Sequence, residues 1–111
     1  MDERRQYHRF LLHTEIDHED VSSQTAKQSI TKDISRGGIC ITTTGEPLEK
    51  GLHYKVKFVL PFSEEEIFTT ARVMWIKQEG NFYDNGLAFV TIEDRYLNRI
   101  EEFSIGSVED K

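Results

Sequence analysis

Three of the chain's seven arginines, Arg4, Arg5 and Arg9, fall within its first nine residues, and no lysine precedes Lys27. The guanidinium is a planar fork that grips phosphate through paired hydrogen bonds and stacks on aromatic bases, whereas an ammonium does neither well. A cluster built only of arginine therefore points to phosphate or purine recognition. A second group follows at Asp33-Ile34-Ser35-Arg36-Gly37-Gly38. Asp and Ser side chains bond to nearby backbone N–H groups and favour turns. Glycine admits positive φ and lets a ligand approach the backbone. A carboxylate also matches the two parallel donors, N1–H and N2–H, on the edge of guanine. Each group has a plainer alternative. The arginines also suit an arm folded electrostatically onto an acidic body, and Asp33–Gly38 also suits an ordinary Asx-type turn.

The elements around these groups bring them together. Residues 1–9 are polar and charged, with no strand or helix pattern, and are expected to form a flexible N-terminal arm. From Phe10 the chain reads as β. The first strand is expected over about Arg9–Ile16, the polar stretch Asp17–Gln24 as a loop, and Ala26–Ile34 as the second strand, with Ile30 and Ile34 on one face. Position 21 is equidistant from Arg9 and Asp33. A hairpin turning there sets the two residues side by side, with the other arginines close by. Further strands are expected at Ile39–Thr44, Leu52–Leu60 and Ile67–Ile76, then at Phe82–Thr91 with an interruption at Asp84-Asn85-Gly86. The period then changes: Tyr96, Leu97, Ile100 and Phe103 make a helical stripe, with Thr91 and Asp94 as a capping box and Gly106 as the stop. The predicted fold is all-β, a six-stranded antiparallel β-barrel with a C-terminal α-helix. Closing the sheet removes its exposed edges. The domain boundaries expected are residues 1–9 for the arm and 10–106 for the barrel and helix.

Charge limits the partners. The 111 residues carry 14 basic and 20 acidic side chains, net −6 with neutral histidines. Residues 1–9 have three positive and two negative charges, net +1; the other 102 have 11 and 18, net −7. A body of that sign is not drawn to a long nucleic acid or an anionic membrane, but a small anionic nucleotide needs only the local basic site. One cysteine excludes an internal disulfide, and no run of about 18 apolar residues exists to span a membrane. No apolar signal core opens the chain. The expected location is the cytoplasm.

At this point the residues resemble a known family. Arg5-x-x-x-Arg9 followed by Asp33-x-Ser35-x-x-Gly38 is similar to the paired signature of PilZ domains, bacterial receptors for cyclic di-GMP. Ala71-Arg72-Val73-Met74-Trp75 resembles that family's fifth-strand segment, and Gly86-Leu87-Ala88-Phe89 its Gly-x-x-Phe segment. The resemblance spans about residues 4–103. It implies a six-stranded barrel with a terminal helix and no enzymatic activity. It implies that Arg5 and Arg9 grip the phosphates and stack on a guanine, that Asp33 and Ser35 bond to the guanine edge and nearby phosphate oxygens, and that Gly37 and Gly38 let the ligand approach. Arg4, just before the first motif arginine, implies an intercalated pair of ligand molecules, with Arg36 contacting the second. An unidentified downstream protein would read the ligand state, since only three residues precede Arg4 and a free-standing module is expected. The alternative is a nucleotide-independent interaction adaptor on the same fold. A third reading, a small-barrel binder of single-stranded nucleic acid, rests only on Lys55 and Lys57.

Other residues receive structural assignments. Cys40 is expected as a buried thiol, Trp75 and the phenylalanines as core, and Glu64–Glu66 as a solvated turn. His13 and His18 are expected at the surface beside the polar loop, and His8 near the nucleotide. No metal site is expected.

Overall fold

The computed structural model describes the backbone of residues 9–61 and 63–109. Arg4, Arg5, His8 and most of the expected arm lie outside that range, so Arg9 is the described member of the arginine group. Seven strands and a helix follow one another: β1 (Phe10–Leu11), β2 (Glu15–Asp20), β3 (Ala26–Ile34), β4 (Gly38–Thr44), β5 (His53–Val59), β6 (Glu66–Glu79), β7 (Phe82–Thr91) and α1 (Asp94–Glu109). All pairings are antiparallel, in the order β1-β3-β2-β5-β6-β7-β4, and a further β3–β4 pairing closes the sheet. The result is a closed barrel of six strands with the two-residue β1 added beside β3, as the strand pattern predicts.

Period-two alternation builds the interior. Tyr54, Val56 and Phe58 point inward from β5 while Lys55 and Lys57 point out. Ile16, Ile34, Ile41, Ile67 and Val73 join them in one core cluster, and α1 adds Tyr96 and Ile100.

Several expectations change. The first strand is broken rather than continuous. Thr31 of β3 is buried and inserts its hydroxyl between the two halves, donating to Leu12 O at 2.7 Å and accepting from Thr14 N–H at 3.0 Å. A bulge between Thr31 and Asp33 accompanies it. It puts Thr31 and Ile34, three apart, on the same inward face, where alternation names Ile30 with Ile34. The expected loop Asp17–Gln24 is half strand. Asp17 is opposite Lys57 and Glu19 opposite Lys55, so opposite charges across strands make these polar residues a stable outer face. The turn is confined to the end: Asp20 accepts from Ser22 N–H and Oγ–H, which also holds its carboxyl below the usual range, and Gln24 takes φ 61°. His18 is buried, contrary to its surface assignment.

The expected interruption at Asp84-Asn85-Gly86 is unbroken strand. Asn85 faces the interior with its amide saturated: Oδ1 accepts from Leu48 N–H at 2.9 Å, and Nδ2 donates to Ile41 O, Thr43 Oγ1 and Tyr83 O at 2.9, 3.1 and 3.2 Å. That side chain ties the loop after β4 to the barrel wall. In α1 the first helical bonds run from Tyr96 and Leu97 N–H to Glu93 O. Thr91 ends β7, so the predicted capping box is not the start, and the helical backbone runs through Gly106 to Glu109. Glu65 is no free turn residue; it pairs with Arg95 and Arg99 of α1 at 3.2 and 3.0 Å.

Candidate nucleotide site

Arg9 and Asp33 meet. Arg9 Nη1–H donates to Asp33 Oδ1 at 3.1 Å, with the side chains 28% and 18% exposed. The register differs by two residues from the predicted one: Phe10 pairs with Ile34 and Leu11 with Asp33, so β1 and β3 pair symmetrically about position 22. Continuing that register sets Arg9 opposite Ser35, and the long guanidinium reaches back diagonally to Asp33. Arg9, Asp33 and Ser35 thus share one end of β1 and β3.

Ser35 starts the link between β3 and β4. Its N–H donates to Gly38 O at 2.9 Å and its Oγ accepts from Gly37 N–H at 3.1 Å. The glycine requirement here is steric: neither Gly37 nor Gly38 is among the glycines at positive φ. A Cβ on Gly38 would lie 2.1 Å from Leu87 O, so β4 and β7 close on each other only with glycine at that position. Gly37 O accepts from Phe89 N–H at 2.9 Å and fixes the turn to β7. Arg36 turns to the helix, with Nε 2.8 Å from Glu101 Oε2.

The outer wall beside the ion pair is a transverse row. Leu11 pairs with Asp33, Asp33 with Cys40, Cys40 with Gly86, and Gly86 with Trp75. Trp75 is 37% exposed and is not core. A bulge between Val73 and Trp75 reverses the alternation and turns the indole outward. The ring lies on Gly86, where a Cβ would meet it at 2.1 Å, and Arg9 Cζ stands 5.7 Å from the ring centroid. The floor between carboxylate and indole is therefore small-residue backbone plus the Cys40 thiol. Cys40 is buried, as expected, and its pKa is pushed up to about 12 by burial first and then by the nearby charges of Asp33 and Asp84. Asp84 is neutralised in turn: Lys32 Nζ lies 2.6 Å from its Oδ2 and Thr42 Oγ1 donates to its Oδ1 at 3.1 Å. The hydrogen bond that Lys32 donates to Asp84, with the carboxylate's charge, holds the ammonium above its usual range. A guanidinium, a carboxylate, a hydroxyl and a flat aromatic ring then surround a shallow surface suited to a planar, hydrogen-bonding ring bearing anionic groups.

A family model described as PilZ domain matches residues 3–106. The chain belongs to the PilZ domain family. This PilZ domain superposes on the Bacillus subtilis inhibitor of motility MotI/DgrA with a TM-score of 0.86 at 21% identity, covering 98% of this chain and 53% of that one. It matches the PilZ domain of Escherichia coli YcgR, a structure with c-di-GMP, at a TM-score of 0.75 and 13% identity, covering 97% of this chain and 94% of that one. It matches the K. pneumonia MrkH–c-di-GMP complex at 0.78 and 20% identity, over 97% of this chain and 53% of that one. The chain thus spans about half the length of the motility inhibitor and of MrkH. Comparison with curated proteins finds no match.

The meeting of Arg9 with Asp33 was legible from their spacing; the indole beside them was not. Alternation from Ala71 and Val73 carries Trp75 inward, and only the bulge reverses it. Gly86, the residue directly across from Trp75, is the one sequence signal that a large ring lies flat there.

Proposed function

We propose that this PilZ domain is a non-enzymatic receptor for cyclic di-GMP that signals to a separate protein. The Arg9–Asp33 pair beside the Ser35 turn carries the reading. In the proposal Arg5 and Arg9 hold phosphates through charge-assisted hydrogen bonds, and a guanidinium stacks on a guanine face. Asp33 accepts from the N1–H and N2–H edge, and the Ser35 hydroxyl bonds to a nearby phosphate oxygen. Gly37 and Gly38 keep the floor open. Arg4 supplies a further guanidinium for a second, intercalated molecule, and Arg36 leaves Glu101 to reach it.

In the same proposal residues 1–9 act as an arm that orders on the nucleotide. Binding free energy is then coupled to what the arm and barrel present to a partner protein. The described residues support this with a hinge-like join: β1 holds to β3 through only two residues, Phe10 and Leu11. Among the described residues no helix is long and apolar enough to cross a membrane. The test is calorimetric titration of cyclic di-GMP into the whole chain and into Arg4→Leu. Saturable binding in both, with a lower ligand ratio in the variant, is expected. Absence of heat in the micromolar range contradicts the receptor reading and favours a nucleotide-independent adaptor.

A further inference from the structure

The bulge between Thr31 and Asp33 gives the outer wall two successive residues of β3. Thr31 and Ile34 are buried in the core, while outside it Asp33 holds Arg9 and Lys32 holds Asp84. Bulges re-aim side chains in this way beside functional sites. Asp84 of β7 stands across from Thr42 of β4, and Gly86 across from Cys40, two residues away on each strand. At roughly 3.4 Å per residue, the Asp84 row lies about 7 Å from the floor between Asp33 and Trp75.

A carboxylate in that row works against an anionic ligand. Asp84 is buried and both its oxygens are taken, Oδ2 by the Lys32 ammonium at 2.6 Å and Oδ1 by the Thr42 hydroxyl at 3.1 Å. It is set too deep to accept from a ligand, yet its charge reaches the floor. After burial, Asp33 and Asp84 are what push the Cys40 thiol up, while Lys32 and Arg9 pull it down, so all four charges act there. A phosphate over the floor would lie within a screening length of about 8 Å of Asp84. Lys77 faces Asp84 from β6, but its Nζ pairs with Glu79 at 3.0 Å. The half-exposed Lys32 is thus the cation that cancels Asp84. Arg9 with Asp33, Lys32 with Asp84 and Lys77 with Glu79 leave the wall electrically balanced.

We infer that Lys32 is a positioning residue that sets affinity for the nucleotide: by cancelling the buried charge of Asp84, it keeps the floor between Asp33 and Trp75 open to an anionic ligand. Lys32 acts through Asp84 and needs no contact with the nucleotide itself. This rests on the receptor reading and deepens it, because it adds to the motif residues a pair that decides how much negative charge the site tolerates. Asp84 in turn ties the bulge of β3 to β4 and β7, which keeps the ammonium beside the site.

The test is calorimetric titration of cyclic di-GMP into the wild type, Lys32→Gln, Asp84→Asn and the double variant. Affinity should follow the charge of the wall. Lys32→Gln should weaken binding roughly tenfold, and Asp84→Asn should tighten it several-fold, because the lysine is then uncompensated. The double variant should return to within about threefold of the wild type. Lys32→Arg, which keeps the charge, should bind as the wild type does. A merely structural clamp predicts the opposite sign for Asp84→Asn, so weaker binding in that variant overturns the proposal. A double variant as weak as Lys32→Gln also overturns it, in favour of a direct contact between Lys32 and the ligand. Wild-type binding with all variants unchanged removes the role of Lys32 alone. No binding by the wild type removes the receptor reading and this role together.

Discussion

At the residue level Asp33 carries two demands, because the carboxylate that anchors Arg9 is also the group proposed to read guanine. Loss of either partner removes a charge-assisted contact and leaves the other partly buried and unpaired. Arg9→Ala and Asp33→Ala should each weaken cyclic di-GMP binding by about 1.5–3 kcal/mol, roughly tenfold to a hundredfold, as read by calorimetry. Trp75 is the chain's only tryptophan, so its emission reports on this wall alone. Cyclic di-GMP should shift or quench that emission, and Asp33→Ala should remove the response at ligand concentrations that saturate the wild type. His18 sets a different dependence. It lies inside the barrel end, its Nε2 2.8 Å from Ser29 Oγ and its ring edge-on to Tyr54, with centroids 6.1 Å apart. Burial first, then Lys27, hold the imidazole below its usual pKa, against a smaller opposing pull from Asp17. The unfolded chain therefore binds the proton more readily than the folded one. Stability is undiminished above the ordinary imidazole value and falls as pH drops through it toward the lowered folded value. In urea unfolding at pH 7.5 and pH 5, His18→Gln should lose less stability on acidification than the wild type.

Among the elements, the bulges explain both what the sequence revealed and what it hid. The strand ranges from Ile39 onward were legible because alternation is uninterrupted in β4 and β5 and follows from Gly and Pro punctuation. Arg9 and Asp33 were found together because a hairpin needs only approximate symmetry, and an arginine's diagonal reach absorbs a two-residue error in register, which keeps both side chains on one face. The outward turn of Trp75 and the inward turn of Thr31 depend on single-residue bulges, which exchange faces without altering composition. Asn85 looked like a turn residue, since nothing in its immediate neighbours announces that Leu48, Ile41 and Thr43 will converge on its amide. Gly38 shows the reverse case, in which the residue was identified and its reason changed. It is needed for close approach of β4 to β7, 2.1 Å from Cβ position to Leu87 O, and not for a left-handed backbone. Gly38→Ala must push β4 away from β7 beside the site. It should lower stability by about 1–3 kcal/mol in urea unfolding, the range of an overpacked core substitution, and weaken cyclic di-GMP binding with it.

Taken as a whole molecule, the chain divides its tasks around one barrel. The wall of β1, β3, β4, β7 and the Trp75 end of β6 gathers Asp33, Cys40, Gly86 and Trp75 beside Arg9, while β5 and the other end of β6 carry Lys55, Lys57 and the exposed Phe68. Charge follows the same division: a body at −7 discourages long polyanions, and residues 1–9 at +1 are the local exception on which the proposed binding of a small anionic ligand rests. The helix is tied to both the motif turn, through Arg36 and Glu101, and the β5–β6 loop, through Glu65 with Arg95 and Arg99. The central claim is that this barrel binds cyclic di-GMP through its arginine and aspartate motifs. Calorimetric titration of cyclic di-GMP into the full chain tests it most directly. Saturable heat with two ligand molecules per chain is expected, falling toward one in Arg4→Leu and strongly weakened in Asp33→Ala. A wild-type titration with no heat beyond dilution at micromolar ligand would contradict it.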